Sequence, residues 1–384
     1  MPVTFGFLST HPPTQCGLAT FNAALAAQLT AGVPGSGVVR LADGDDSGAP
    51  APVVSAATPP VVHTWRTDQP NGWRRAVAAL DRFDVAVVQH EYGIYPGLDG
   101  QDVLPVLRNV SVPTIVVLHT VLTTPSPRQQ AVLEQIVAAA DAVVTMTDTA
   151  RTRLTTGYRV DARKVTVIPH GAGSHTSAPS ARTDRPHLLT WGLLGPGKGI
   201  EWALQALAHL QDLDPAPMYT IAGRTHPKVL EQHGDVYRDS LHKLAADLGV
   251  TDSVVHLDSY MDAATLSRVI RSADVVVLPY DSTEQVTSGV LIEAVGAGKP
   301  VVATEFPHAV ELLADGPGLL VPHHDPKALA DAVRRVLTDR SLAETLTART
   351  DAPTLRWPAV AARYAAVAER LIAASAPAVA AVGA

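Results

Sequence analysis

The chain has 384 residues, 46% of them hydrophobic, which is enough for about two domains that each bury a core. Its net charge of −7 argues against general nucleic-acid binding, because that binding needs a basic surface to neutralise phosphates. The single cysteine, Cys16, excludes an internal disulfide and a thiolate metal cluster.

Short apolar runs rich in β-branched residues alternate with Ala- and Leu-rich stretches in the first half of the chain. Continuous apolar strands separated by helices predict a parallel sheet that is covered on both faces. The predicted strands are residues 3–8, 38–42, 84–89, 114–119, 142–146 and 164–168. Predicted helices include residues 20–29 and 128–140.

A segment rich in Gly, Ser and Pro, residues 170–186, interrupts this alternation and a second series follows it. Its predicted strands are residues 187–192, 218–223, 253–258, 274–280, 300–304 and 318–322, and its helices include 325–339 and 357–375. The sequence therefore predicts an α/β protein with two doubly wound, Rossmann-like halves. The predicted bounds are 1–172 and 187–355 for the halves, 173–186 for a linker, 356–374 for a C-terminal helix and 375–384 for a disordered tail.

The N-terminus lacks a basic flank before its short apolar run, and no apolar segment approaches the length of about 18 residues that spans a bilayer. Together with the lone cysteine, this leads us to expect a cytoplasmic protein. The stretch "WRRAVAALDRF", residues 73–83, has two interpretations. A solvated helix face is favoured over a weak contact with an anionic membrane surface.

Several polar residues follow the predicted strands of the first half, where open parallel sheets bind ligands. His90 and Glu91 follow one strand, His119 follows the next, and His170 follows the last. One such histidine is more typical of a structural hydrogen bond, but three favour the polar floor of a binding site. Their spacing is not that of a compact metal site, so no metal is predicted. Gly17 either opens a helix whose amides hold an anion or simply forms a turn.

The second half begins with a strand, a glycine loop and a helix. Residues 192–198 match the G-x-x-x-x-G-K pattern of a nucleotide-binding P-loop, but the next residue is Gly199 where that loop has Ser or Thr. The mismatch weakens an ATPase or kinase interpretation. Lys198 and the backbone amides at the start of the helix nevertheless predict a phosphate site. No G-x-G-x-x-G follows the first strand, which weakens an oxidoreductase interpretation.

An ordered series of motifs runs through both halves of the chain and comprises Gly17, His119, "GLLGPGKG", "AGRTHP", "ADVVVLPY" and "EQVTSGVLIEAVGAGKPVV". Taken in this order, the series resembles glycosyltransferase family 4 from residue 3 to about residue 373. "QHEYGIYPG", "LHT" and "IPHG" look like a bacterial branch of that family. The resemblance implies the GT-B fold, in which two Rossmann-like domains face a cleft and the C-terminal helix crosses back to the first domain.

The resemblance also implies a function. We expect transfer of a hexosyl unit from a nucleotide-diphosphate sugar, of the GDP-mannose or UDP-glucose type, to a sugar, glycoside or natural-product acceptor. The second domain would bind the donor and the first the acceptor, with retention of anomeric configuration and without a metal or other cofactor. The alternatives are a retaining glycoside phosphorylase of the same fold and a non-catalytic subunit that binds sugar nucleotides.

The donor site should surround the leaving phosphate, on which negative charge develops. Lys198 is the best cation for it, and a bare glycine at the start of a helix lets a phosphate approach the amides. Glu293, on the same helix, is expected to accept hydrogen bonds from the ribose hydroxyls, with a structural salt bridge as the alternative. The expected donor-binding residues are Gly17, Lys198, Arg224, Thr287, Ser288, Gly289, Val290 and Glu293.

Two positions depart from the family pattern. Leu193 stands where the family commonly has a diphosphate-binding arginine, and Arg224 either replaces that arginine or is a surface residue. Gln285 stands where the family has the first of two glutamates, so either Gln285 or the preceding Glu284 contacts the transferred sugar.

No catalytic nucleophile is assigned. His119 is expected to orient the transferred sugar or the neighbouring backbone. His90, Glu91 and Tyr92 are expected to meet the acceptor hydroxyls.

Overall fold

The computed structural model describes residues 2–43, 58–173, 184–350 and 352–375. Most of the predicted linker, residues 174–183, and the predicted tail after residue 375 lie outside the described residues. The chain divides into two units, of which unit 1 comprises residues 1–169 with 357–384 and unit 2 comprises residues 170–356.

Unit 1 contains a parallel sheet with helices in the connections between its strands. Its strands are β1 Phe5–Thr10, β2 Gly37–Ala42, β3 Val61–Arg66, β4 Val85–His90, β5 Thr114–Leu118, β6 Ala142–Thr145 and β7 Val165–Val167. Its first helices are α1 Gly17–Leu29, α2 Trp73–Leu80, α3 Val103–Asn109, α4 Pro127–Ala139 and α5 Asp148–Gly157. The strand order is β3-β2-β1-β4-β5-β6-β7, and all pairings are parallel.

Unit 2 repeats this design with a smaller sheet. Its strands are β8 His187–Trp191, β9 Met218–Ala222, β10 Val254–Leu257, β11 Val275–Leu278, β12 Val301–Thr304 and β13 Gly318–Val321. Its helices are α6 Ile200–Ala208, α7 Pro227–His233, α8 Val236–Asp247, α9 Ala263–Ser272, α10 Gly289–Gly296, α11 Pro307–Leu313, α12 Pro326–Thr338 and α13 Arg340–Ala348. The strand order is β10-β9-β8-β11-β12-β13, again entirely parallel.

Strand β3 was not predicted from the sequence. It lies at the edge of its sheet, where Val61 and Val62 are 44% and 37% exposed. The edge position leaves its first residues uncovered, and polar residues interrupt the run "VVHTWR". Because it lacks the continuous apolar character of a central strand, hydrophobic patterning alone did not identify it.

The last helix, α14 Trp357–Ser375, belongs to unit 1 although it follows unit 2 in the chain. Its buried residues Trp357 and Tyr364 join the same core cluster as Phe21 and Leu25 of α1. The rings of Phe21 and Trp357 meet edge to face, with centroids 5.3 Å apart. Across the described ranges, no helix is both long enough and apolar enough to cross a membrane.

Each sheet has one point at which the order of its strands reverses. In unit 1 the reversal lies between the neighbouring strands β1 and β4, and in unit 2 it lies between β8 and β11. The connections leave these neighbouring strands in opposite directions, which opens a crevice at their carboxyl ends. Most of the residues expected to bind ligands lie beyond those ends.

Candidate functional site

The glycine loop of unit 2, residues 192–199 between β8 and α6, is fixed by backbone hydrogen bonds to two neighbouring loops. Leu194 N donates to the carbonyl of Arg224 at 2.9 Å, and its own carbonyl accepts from His226 N at 2.7 Å. On the other side, Asp281 N donates to the carbonyl of Gly197 at 3.1 Å. The loop is therefore held between the segments that follow β9 and β11.

Gly199 is required by a close approach of the backbone. Its φ is +61°, and a Cβ there would lie 1.7 Å from the carbonyl oxygen of Pro279. We expect Gly199→Ala to lower the free energy of unfolding by about 2–4 kcal/mol, measured by urea denaturation. Gly197→Ala is the matched control, since φ is +87° there but no atom lies within 4 Å of the added carbon. Equal losses in the two variants would show that the approach to Pro279 does not matter.

Lys198 lies over an aromatic ring. Its Nζ is 4.3 Å from the ring centroid of Tyr280. Tyr280 directly follows Pro279, and both residues lie just after β11. Tyr280 is 0% exposed, and its ring stacks on Phe306 with centroids 5.0 Å apart. Its carbonyl accepts hydrogen bonds from Thr304 Oγ1 at 2.6 Å and His323 Nδ1 at 2.8 Å. The lysine therefore rests on a rigid, buried platform.

The start of α10 forms a second wall of this region. Ser288 caps the helix, with its Oγ accepting from Leu291 N at 3.2 Å. Ser288 N donates to Nδ1 of His308 at 2.7 Å. Burial, with a smaller contribution from His170, lowers the pKa of His308 to about 3. His308 is thus neutral, and since its Nδ1 accepts, its ring proton lies on Nε2. A Cβ on Gly192 would lie 3.5 Å from Val290 Cγ2, so the glycine loop adjoins this helix start.

One face of α10 lies against residues 170–173. A Cβ on Gly289 would lie 3.0 Å from His170 Nε2, and a Cβ on Gly296 would lie 2.4 Å from the Cβ of Ala172. Between these two glycines, both carboxylate oxygens of Glu293 accept from Gly173 N at 3.2 Å. Helical spacing places positions 289, 293 and 296 on one face, so the glycines let the segment approach and the glutamate holds it.

These contacts differ from one predicted domain boundary and show the surroundings of Glu293. Residues 170–172 were assigned to the first half, whereas the structure places them in unit 2, against α10. Glu293 is half-buried, while its neighbours Leu291, Ile292, Ala294 and Val295 are buried. The carboxylate is therefore not isolated in an apolar core. Burial lowers the pKa of His170, and the nearby Glu293 opposes this shift.

The two candidates for the contact with the transferred sugar, Gln285 and Glu284, lie just before α10. Gln285 Nε2 donates to the carbonyl of Thr287 at 3.1 Å, and the carbonyl of Gln285 accepts from His308 N at 3.2 Å. Glu284 N donates to Ser282 Oγ at 3.3 Å. The hydroxyl of Thr287 is buried, and no described residue forms a hydrogen bond with it. These bonds define the loop, and the choice between Gln285 and Glu284 as the sugar contact stays open.

Arg224 follows β9, beside the glycine loop, and its side chain is half-buried. Its carbonyl is the atom that receives the hydrogen bond from Leu194 N. Its predicted contribution to phosphate binding stays a prediction.

In unit 1, the polar residues after β4 and β5 contact one another. His119 Nε2 lies 2.8 Å from Gln89 Oε1, and its ring meets Phe21 edge to face at 4.8 Å. Glu91 accepts from the hydroxyl of Thr120 through one oxygen and from Tyr92 N at 3.0 Å through the other. These residues therefore contact one another, whereas His170, the third histidine expected at the strand ends, belongs to unit 2. The polar floor of a binding site stays a prediction.

His90 differs from its neighbours because it is 0% exposed and, within the described part of the chain, neither ring nitrogen has a hydrogen-bond partner. Its ring meets Tyr92 edge to face at 5.2 Å, and burial lowers the pKa of His90 to about 4. Burial also raises the pKa of Tyr92. In this conformation the His90 ring does not reach the surface, so a direct acceptor contact would need a local opening. The acceptor roles of His90, Glu91 and Tyr92 stay predictions.

Gly17 is the first residue of α1, which Cys16 caps by accepting from Ala19 N through Sγ at 3.4 Å. Among the described residues, no atom lies within 4 Å of a Cβ built on Gly17, so a side chain at this position would meet open space. A cavity of about 210 Å³ lies at the end of β3, with Trp65, Trp73, Asp68 and Asp102 among its lining residues.

Two family models match the chain and together cover most of it. The model described as Glycosyltransferase Family 4 matches residues 17–172, and the model described as Glycosyl transferases group 1 matches residues 185–339. D-inositol 3-phosphate glycosyltransferase of Geodermatophilus obscurus is 31% identical over 315 residues, which cover 73% of this chain and 68% of that protein. The chain belongs to glycosyltransferase family 4.

A second relative of this family 4 chain is the D-inositol 3-phosphate glycosyltransferase of Stackebrandtia nassauensis. It is 31% identical over 294 residues, which cover 70% of this chain. The match spans 64% of that relative, slightly less than two thirds of its length.

Solved structures of low sequence identity share the fold. Anabaena HepE, in complex with UDP and glucose, aligns with a TM-score of 0.71 at 18% identity over 97% of this chain and 98% of that one. Sucrose-phosphate synthase from Thermosynechococcus elongatus aligns with a TM-score of 0.72 at 19% identity, covering 97% and 100% of the two chains. The predicted GT-B fold class is confirmed.

Two residues that shape the region around Lys198 and the start of α10 in this family 4 chain were not predicted from the sequence. Tyr280 lies inside the motif "ADVVVLPY" but received no role, and His308 follows Pro307 at the start of α11. A histidine at a helix start directly after a buried strand was the available signal for His308.

No cluster of three or more His, Cys, Asp or Glu residues suited to a metal ion occurs within the described ranges. The expectation that catalysis needs no metal stays a prediction.

Proposed function

We propose that this protein transfers a hexosyl unit from a nucleotide-diphosphate sugar to an acceptor hydroxyl, with retention of anomeric configuration. The observation that supports it best is the approach of the glycine loop, which carries Lys198, to the start of α10 at the reversal point of the unit 2 sheet. Gly192 of the loop adjoins Val290 of the helix, so we place the lysine and the helix amides around one binding region.

The chemistry of that region suits a diphosphate. Helix N-termini stabilise anions through free backbone amides and the helix dipole, and a lysine adds a full positive charge. Both kinds of group act more strongly on the leaving diphosphate as the sugar–phosphate bond breaks, because negative charge then accumulates on its oxygens. The residues that carry this part are Lys198, Ser288, Gly289 and Val290, with Thr287 beside them.

A UDP-sugar donor is the version that the comparisons favour. HepE was solved in complex with UDP and with UDP-glucose, and these structures cover 97% and 96% of this chain. We assign Glu293 to the ribose hydroxyls of the donor, because it lies on the helix whose start would hold the diphosphate.

The acceptor is proposed to bind unit 1 at the carboxyl ends of its strands. The curated relatives are named as glycosyltransferases that act on D-inositol 3-phosphate, a polyol bearing a phosphate. In this chain the cavity beside β3 combines two indole side chains with carboxylates. Aromatic walls with a few polar groups are typical of small-molecule sites. The carboxylates favour an acceptor that presents neutral hydroxyl groups to them, because they can accept hydrogen bonds from those groups.

The proposal is tested first by ligand binding. Thermal unfolding of the full chain is measured with UDP, GDP, ADP and their glucose or mannose esters at millimolar concentration. We expect one base to raise the midpoint by several degrees while the others have little effect, because a ligand that binds only the folded state stabilises it. The absence of a shift with every nucleotide would contradict the proposal.

A second measurement separates transfer from its alternatives. The donor identified by binding is incubated with candidate polyol and glycoside acceptors, and the anomeric configuration of the product is read by proton NMR. Retention of configuration supports the proposal. Turnover with inorganic phosphate and a disaccharide, without a nucleotide, would instead indicate a phosphorylase. Nucleotide binding without turnover for any acceptor would indicate a non-catalytic subunit.

A further inference from the structure

We propose that Tyr280 is a positioning residue for Lys198, and that the π-face of its ring holds the ammonium group where a donor diphosphate binds. This inference rests on the proposed function for the identity of the ligand. It assigns this role to the ring of a residue that is 0% exposed.

The geometry of the pair is that of a cation–π interaction. Lys198 Nζ lies 4.3 Å from the ring centroid, well inside the limit of about 6 Å for this interaction. The ring is buried, and the lysine is half-buried, so part of the water that would screen the attraction is excluded. An ammonium on a flexible four-carbon stem otherwise samples many rotamers, and its confinement before binding lowers the entropic cost of binding.

The platform is fixed from several sides. Phe306 stacks beneath the ring, and the carbonyl of Tyr280 is held by Thr304 and His323. The next residue, Asp281, fixes the glycine loop by donating its amide hydrogen to the carbonyl of Gly197, one residue before Lys198. Tyr280 and Asp281 therefore determine the position of the lysine at both ends, with the ring at its ammonium and the amide at its backbone.

The side chain of Asp281 strengthens this connection. Its Oδ1 accepts from Trp202 Nε1 at 2.7 Å and lies 3.1 Å from His324 Nε2. Trp202 lies in the first turn of α6, the helix that directly follows Lys198 and Gly199. The carboxylate thereby links the end of β11 to the helix that the glycine loop enters.

The ring rather than the hydroxyl carries the proposed role. The hydroxyl of Tyr280 is buried and has no hydrogen-bond partner among the residues that the structure describes. Tyr280→Phe should therefore retain both the fold and nucleotide binding. This makes phenylalanine a suitable parent for a series in which only the electron density of the ring changes.

The experiment replaces Tyr280 by phenylalanine and by its mono-, di- and trifluorinated analogues, incorporated at this one position of the full chain. Fluorine weakens the attraction of the ring for a cation while its shape changes little. We expect the Kd of whichever of UDP and GDP the wild type binds to rise stepwise, by roughly 3- to 30-fold across the series. The KM for the donor should follow, with a smaller change in kcat. A constant or falling Kd would overturn the inference.

A second series in the Lys198→Met background isolates the pair. If the ring acts through Lys198, the same fluorinated residues should leave the Kd unchanged there, because the cation is absent. A persisting stepwise loss would show that the ring contacts the ligand directly or acts through the fold, and would overturn the inference. Equal thermal midpoints across each series confirm that the fold is intact.

A ligand-free measurement separates this inference from the proposed function. In the protein with ¹³C-labelled lysine, the εCH₂ protons of Lys198 should be shifted upfield by the ring current and should lose that shift in Tyr280→Leu. Failure of the wild type to bind any nucleotide would refute the proposed function alone. An unshifted lysine signal in the wild type would refute the ring contact whatever the ligand is.

Discussion

Lys198→Met is expected to raise the Kd for the donor nucleotide by roughly 10- to 100-fold while the protein stays folded. A charge-assisted hydrogen bond from an ammonium group contributes about 1.5–3 kcal/mol, and methionine removes the charge but keeps a straight apolar chain. The thioether can still pack on the ring of Tyr280, which limits the loss of stability. Isothermal titration with the nucleoside diphosphate measures the change.

The matched control is Lys243→Met, which makes the same chemical change in the same unit. Lys243 lies in α8, and its side chain is 75% exposed. Among the ion pairs of the described residues, its partner is Asp247, one helical turn along. We expect an unchanged Kd for this variant, because an exposed ion pair contributes little. A similar loss in both variants would mean that Lys198 acts through the net charge of the protein rather than at the diphosphate.

Glu293→Gln is expected to weaken nucleotide binding by roughly 10-fold and to change kcat much less. A carboxylate can accept two hydrogen bonds from vicinal ribose hydroxyls, and the amide retains one acceptor and loses the charge. The amide oxygen can still accept from Gly173 N, so the segment at residues 170–173 should keep its place against α10. Unaltered affinity would refute the assignment of Glu293 to the ribose.

The ribose contact can be separated from a structural effect by changing the ligand as well as the protein. The wild type should bind the 2′,3′-dideoxy form of the nucleotide more weakly than the ribonucleotide, and Glu293→Gln should lose most of that difference. Glu344→Gln, an exposed residue of α13 that pairs with Arg340, is the control and should preserve the full difference. Equal discrimination by the wild type and Glu293→Gln would place Glu293 outside the ribose site.

The central strands and the long helices could be predicted because their residues are buried by regular packing. The run "AVVTM" predicted β6, and the structure has Ala142–Thr145 as that strand. The C-terminal helix, predicted at residues 356–374, is α14 Trp357–Ser375, one residue later at each end. Strand β3 was missed because an edge strand is covered on fewer sides, so its residues alternate less clearly between apolar and polar.

The residues of the candidate site also divide into those that the sequence predicts and those that it does not. A lysine in a glycine loop and a serine before a helix could be identified from local sequence, because each acts through the backbone beside it. The partners of these residues could not. His308 receives the amide hydrogen of Ser288, and Tyr280 supports Lys198, across separations that no local pattern encodes.

The sequence by itself determined the two parallel-sheet halves, the final helix and the family, since apolar runs, helical periodicity and ordered motifs are properties of the chain. Only the tertiary structure decided which buried residues meet. It placed residues 170–173 against α10, set Glu293 between two glycines and put an aromatic ring beneath Lys198. The reason is physical: burial depends on residue type and spacing, whereas a contact depends on where the strands and helices bring distant segments together.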